Sequence, residues 1–261
     1  MLRAILFDLG DTLIQFGRVD RASLFRRATA RTYRLWAQRQ RRMPSFRRYY
    51  LHQWSAIHWA FFKTVLYRRE VDAMRLIRRA CRKLWLTAPE AFFKELVWAW
   101  YEPLAQVARL EPGTHQTLDR LARSGYRLGI VSNTFVPGFV LDRHLAQLDL
   151  LRYFPYRIYS CDVGYRKPDR RIFDRAVQAI GAAASQCVFV GDLLDADIHG
   201  AHQAGLTPVW KRPPPLRDAD DAPPPPQGTP IIDQLVDLPE VIDHLKRQAM
   251  IRALAACRRA G

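Results

Sequence analysis

Ala4 to Phe7 form an unbroken apolar run cut off at Asp8 and a glycine-bearing turn, so Arg3 to Leu9 reads as a short first strand buried on both faces. From Arg18 to Tyr101 the period changes. Apolar residues recur three or four places apart, as in Phe46, Tyr50, Trp54, Ile57, Phe61 and Val65, which predicts a helix with that face inward. Pro44-Ser45 separates it from an earlier helix bearing Ala22, Phe25, Ala28, Leu35 and Trp36, while Val71, Met74, Ile77, Cys81 and Leu84 mark a third. Thr87 to Glu90 has capping-box spacing, with Pro89 in the tolerated first turn, and opens a fourth. Four such helices in succession make an all-helical insertion.

Beyond Pro112-Gly113 strands and helices alternate. A helix around Thr117–Ser124 leads to a strand, Tyr126–Val131, that ends in Ser132-Asn133-Thr134. A further helix is followed by the strand Tyr156–Ser160, the Lys167-Pro168 turn, a helix from Arg171 to Ile180, and the strand Cys187–Val190 ending in Gly191-Asp192. A helix over Ile198–Ala204 comes next. Ile231-Ile232 forms a last short strand, and Leu235 to Arg259 a basic helical tail. The fold class is therefore α/β, a doubly wound parallel sheet with ligands expected at the carboxyl ends of its strands. Residues 1–16 and 104–261 form the α/β core and 17–103 the helical insertion. Residues 211–230 are a proline-rich surface loop and 235–261 the tail.

Charge sharpens this division. The formal net charge is +16, and the stretch from Arg18 to Lys94 holds twenty Arg and Lys against Asp20, Glu70, Asp72 and Glu90. That stretch carries the whole excess. It either faces an anionic partner (substrate, nucleic acid or membrane surface) or is an arginine-rich solvated surface. The cysteines, Cys81, Cys161, Cys187 and Cys257, show no ligand spacing and are too sparse for a disulfide framework, which points to a reducing cytoplasm. No stretch approaches the roughly 20 apolar residues of a membrane span. No pattern in the chain specifies an oligomer.

Four strand or loop ends carry groups of complementary chemistry: Asp8, Ser132, Lys167, and Asp192 with Asp197. Parallel strands bring such ends to one rim. Phosphoryl transfer requires positioning and charge neutralisation. Asp8 and Asp192 are hard oxygen ligands suited to Mg²⁺, with Asp197 in support. Lys167 offsets carboxylate and phosphate charge, and Ser132 donates to a phosphate oxygen. Asp8 is then placed to attack phosphorus as a nucleophile.

These residues fall in four ordered motifs. ILFDLGDTL, IVSNT, YRKPD with RRIF, and VFVGDLLDADIHGAHQAG resemble the motifs of the haloacid dehalogenase superfamily of hydrolases, from Leu2 to about Val209. The insertion sits where that family carries a helical cap. The resemblance implies a nucleophilic Asp8 forming an aspartyl-phosphate. It further implies a phosphate site at Ser132, Asn133 and Lys167, and Mg²⁺ at Asp8, the Gly10 carbonyl and Asp192, with Asp197 supporting. The substrate expected is a small anionic organic phosphate.

FDLGDTL departs from the phosphatase pattern. The residue two after the nucleophile is usually an aspartate that protonates the leaving alcohol and then activates water, and here it is Gly10. General acid–base help is worth about 10²–10⁴-fold. Asp11 fills the role through a shifted turn, or water and substrate groups carry the protons in a slower enzyme, or the domain is non-catalytic and binds a polyanion such as RNA through its basic insertion. A metal-independent haloacid dehalogenase, which dispenses with that aspartate, is a further alternative.

Overall fold

The computed structural model describes residues 2–67, 72–214 and 224–260. Six strands form one parallel sheet: β1 (Ala4–Phe7), β2 (Arg127–Ser132), β3 (Tyr156–Tyr159), β4 (Cys187–Gly191), β5 (Thr207–Lys211) and β6 (Ile231–Ile232), in the spatial order β3-β2-β1-β4-β5-β6. The first three strands run outward from β1 to one edge and the last three to the other. The order therefore reverses between β1 and β4, the position where doubly wound sheets bind ligands.

Strand pleat explains the two apolar layers. Ala4 and Leu6 face one side, with Ile172, Phe173, Ala176 and Ile180 of α8 (Arg170–Ile180) packed against them. Ile5 and Phe7 face the other, with Leu118 and Leu121 of α5 (Thr114–Arg123) and Val140, Leu141 and Leu145 of α6 (Gly138–Gln147). Both faces are covered, so β1 can be apolar throughout. Short α7 (Ser160–Val163) and α9 (Gly200–Gln203) follow β3 and precede β5, and α10 (Leu238–Ala260) closes the chain.

Between β1 and β2 the chain builds α1 (Arg21–Arg39), α2 (Phe46–Tyr67), α3 (Ala73–Arg82) and α4 (Glu90–Ala105). Apolar contact runs without interruption from the second sheet face through Tyr101 and Val97 to Trp36, Tyr49, Ile77 and Phe93. The chain crossings into and out of this helical layer meet where Gln15 and Arg109 exchange two main-chain hydrogen bonds of 2.8 Å. Asp20 and Asp72 cap α1 and α3, each accepting from main-chain N–H groups of the first turn.

Several local expectations change. On α2 Ile57 is buried as predicted, but its buried companions are Tyr49 and Gln53 rather than Tyr50 and Trp54, and Trp54 is exposed. The Thr87–Glu90 capping box does not form: Pro89 occupies the N-cap without a side-chain bond, and Glu90 pairs with Arg78 and Lys94. Ser160 opens α7 instead of ending β3. The helix expected over Ile198–Ala204 is a wide π-type turn, Leu194–His199, followed by α9. Val71, residues 215–223 of the proline-rich stretch, and the side chains of Phe61, Val65 and Cys257 lie outside the described residues.

Candidate active site

Asp8 follows β1 directly and its N–H donates to Val190 of β4, which fixes the first carboxylate at the reversal point of the sheet. Asp192 follows β4. Its carboxylate accepts from Thr12 Oγ1 at 2.9 Å, and its main-chain oxygen accepts from the indole of Trp210 at 2.9 Å. The π-type turn brings Asp197 back beneath β4, where Oδ2 accepts from Leu193 N–H at 3.0 Å. Such turns recur at functional sites because the extra residue re-aims a side chain. Gly191 is required there: a Cβ would fall inside the van der Waals envelope of Asp197.

Asp8, Asp192 and Asp197 are all buried, and each offers a carboxylate oxygen within 4.8 Å of the others. Lys167 reaches them from the loop before α8. Its ammonium lies 2.5 Å from Asp8 Oδ1 and 2.6 Å from Asp197 Oδ1. Asn133 holds that lysine by its backbone, since Nδ2 donates to Lys167 O at 2.9 Å and Oδ1 accepts from Lys167 N–H at 2.7 Å. The amide predicted to touch substrate is thus engaged at both ends in placing Lys167. Ser132, buried at the end of β2, lies on the strand next to β1.

Three carboxylates face one ammonium. Burial pushes Asp8 up to about 7, with the charges of Asp197 and Asp192 adding to the rise and Lys167 opposing it. Asp192 is pushed up to about 6, by burial first and then by Asp197, against the Thr12 hydrogen bond. Burial alone would lower Lys167, yet Asp197 and Asp8 hold it above its ordinary value. A divalent cation fits this donor set, because it would balance the two negative charges that Lys167 leaves uncompensated.

Asp11 stands apart. It is exposed, its backbone is left-handed at φ +55°, and it is not part of the carboxylate cluster. Gly10 has ordinary backbone, and a Cβ there would meet only Phe16 Cε2 at 3.8 Å, so a side chain could be housed. Thr12 and Trp210, which brace Asp192, were missed by sequence reasoning. Thr12 lies in the quoted FDLGDTL, and its hydroxyl four residues from Asp8 was the available signal.

Residues 2–205 match the haloacid dehalogenase-like hydrolase family. Among curated relatives, glyceraldehyde 3-phosphate phosphatase of Methanothermobacter thermautotrophicus is 35% identical over 38% of this chain and 42% of its own length. Phosphoserine phosphatase of Thermus thermophilus is 32% identical over 46% and 44%, and a pyrimidine 5'-nucleotidase of Escherichia coli 31% over 43% and 49%. Each match spans less than half of the relative. In fold the chain is similar to a 2-haloacid dehalogenase from Pseudomonas syringae, with TM-score 0.64, 24% identity, and 94% and 100% of the two chains covered. It is also similar to a phosphatase from Thermococcus onnurineus, at 0.57, 23%, and 92% and 98%.

Proposed function

The chain belongs to the haloacid dehalogenase-like hydrolase family, and from that premise we propose that it is a cytoplasmic, Mg²⁺-dependent phosphomonoesterase acting on a small anionic organic phosphate. The observation that carries this reading is the buried set of three carboxylates with a single ammonium at the reversal point of the sheet. Curated relatives named as phosphatases and a nucleotidase support the same reaction class. A metal-independent dehalogenase would have no need of so much uncompensated negative charge.

Asp8, Asp192 and the Gly10 carbonyl would hold Mg²⁺, with Asp197 in support. When bound, the ion neutralises phosphate charge and favours the ionised form of Asp8. The Asp8 carboxylate attacks phosphorus, forming an acyl-phosphate bond as the ester P–O bond breaks and the alkoxide leaves. Ser132 donates to a phosphoryl oxygen. Lys167, clamped by Asn133, balances the charge that accumulates around the reacting group. Water then attacks the phosphorus of the aspartyl-phosphate, releasing inorganic phosphate and restoring Asp8.

Gly10 supplies no proton to the leaving alkoxide, so water, substrate groups or Asp11 must do so, and turnover is slow. The basic helices over residues 17–103 act as the cap that selects an anionic substrate and excludes water. Assay of a phosphate-ester panel with and without Mg²⁺ tests the reading. Hydrolysis that requires Mg²⁺ and disappears in Asp8→Asn is expected. Metal-independent release of halide from a 2-haloacid, or no turnover together with RNA binding that weakens steeply with salt, would overturn it.

A further inference from the structure

Lys211 is the last residue of β5 and only 2% exposed, although no step of the proposed chemistry uses it. Its ammonium donates to the main-chain oxygen of Asp11 at 3.1 Å and lies 2.7 Å from Glu111 Oε1. Glu111 in turn accepts from Gln15 Nε2 and, through Oε2, from the N–H of Leu235 at 3.0 Å. One buried ion pair therefore ties the turn after β1 to both chain crossings of the helical layer and to the segment after β6. Apolar packing often replaces such a pair without loss of stability. Its chemistry must be read from what it holds.

It holds a turn that needs holding. Asp11 is left-handed at φ +55°, a backbone region that disfavours residues carrying a Cβ. Both of its main-chain groups are engaged, the N–H with Ile14 O at 2.7 Å and the carbonyl with Lys211. In a planar trans peptide the Gly10 carbonyl points opposite to the Asp11 N–H, so anchoring one aims the other. The Asp11 carbonyl, in the next plane, sets the direction of Thr12, whose hydroxyl braces Asp192.

We propose that Lys211 is a positioning residue: by gripping the Asp11 carbonyl it sets the Asp11–Thr12 peptide and so aims the Thr12-braced Asp192 carboxylate at a divalent cation, towards which the Ile14 bond to the Asp11 N–H turns the Gly10 carbonyl. The inference rests on the Mg²⁺ reading above.

Calorimetric titration of MgCl₂ into the full chain tests it, with circular dichroism to confirm folding. The set is wild type, Lys211→Met, Glu111→Gln and the double variant Lys211→Met/Glu111→Gln, which buries neither charge and carries the test if Lys211→Met alone does not fold. Loss of a group that orients metal ligands costs about tenfold or more in affinity. Lys211→Met and the double variant should both bind Mg²⁺ about tenfold more weakly, while Glu111→Gln stays within about twofold. Wild-type affinity in the double variant would overturn the inference alone, because the deficit of Lys211→Met would then come from an unpaired Glu111. A wild type that binds no Mg²⁺ would overturn the magnesium reading and this inference together.

Discussion

Buried polar groups occur both at the strand ends and in the seam between α4 and α6, and they are treated in opposite ways. At the strand ends three carboxylates are crowded around one lysine, and Asp8 and Asp192 are pushed up to about 7 and about 6. In the seam, His144 is enclosed beside Tyr101, whose hydroxyl lies 2.9 Å from Nδ1, and its desolvation lowers it to about 4. Acid therefore relieves the first region and stresses the second. The strand ends keep uncompensated negative charge, the feature on which the proposed cation site rests, whereas the seam is neutral and packed.

The sharpest way to break this comparison is to remove the proposed nucleophile. Asp8→Asn should lower kcat by more than about 10³-fold in a Mg²⁺-supported phosphatase assay while leaving the far-UV spectrum intact. Packing should behave in the reverse manner. Trp36, fully enclosed against Phe92 and Phe93, should cost about 3–5 kcal/mol as Trp36→Ala, read by urea denaturation.

The pH response separates the two regions by sign. Because His144 titrates below its ordinary 6.5 when folded, its protonation favours unfolding. Stability is intact above about pH 6.5 and is lost as pH falls toward about 4. Asp8 and Asp192 act oppositely in the metal-free protein, gaining stability as pH falls through about 7 and about 6. Comparing wild type with His144→Gln cancels the carboxylates. The variant should gain up to about 3 kcal/mol relative to wild type between pH 6.5 and pH 4, and parallel pH–stability curves would refute the assignment.

Smaller effects refine the picture. Gly10→Asp should raise kcat by about tenfold or more, since acid–base help of about 10²–10⁴-fold is there to recover and a Cβ fits at that position. Asp11→Asn in the same assay distinguishes the proton routes: unchanged kcat excludes the shifted-turn role. Trp54→Ala, on the exposed side of α2, should change stability by less than about 0.5 kcal/mol.

The contrast also explains what the sequence disclosed. The strand ends were legible because a buried parallel strand leaves little choice of register: Ala4–Phe7, Cys187–Val190 and their following aspartates all appear where expected. The inward face of α2 was not legible. Aromatic residues lie on several sides of that helix, so a three-to-four spacing reaches Ile57 equally well through Tyr50 and Trp54 or through Tyr49 and Gln53. Partners on neighbouring helices decide it, since Tyr49 donates to Thr32 and Gln53 lies against Cys81. Lys211 and Glu111 were invisible for a related reason. They sit 100 residues apart, and Lys211, read as the first residue of the surface loop 211–230, is instead the buried end of β5, a strand not recognised in the sequence; only the closed sheet brings the pair under the same turn.

Gly191 has a consequence that reaches beyond its own position. It contributes no charge, proton or ligand atom, yet the room it leaves is occupied by Asp197. In a mutational scan, even alanine at 191 would register as the loss of an acidic residue six places downstream, and a steric intolerance of the backbone position would be mistaken for chemistry.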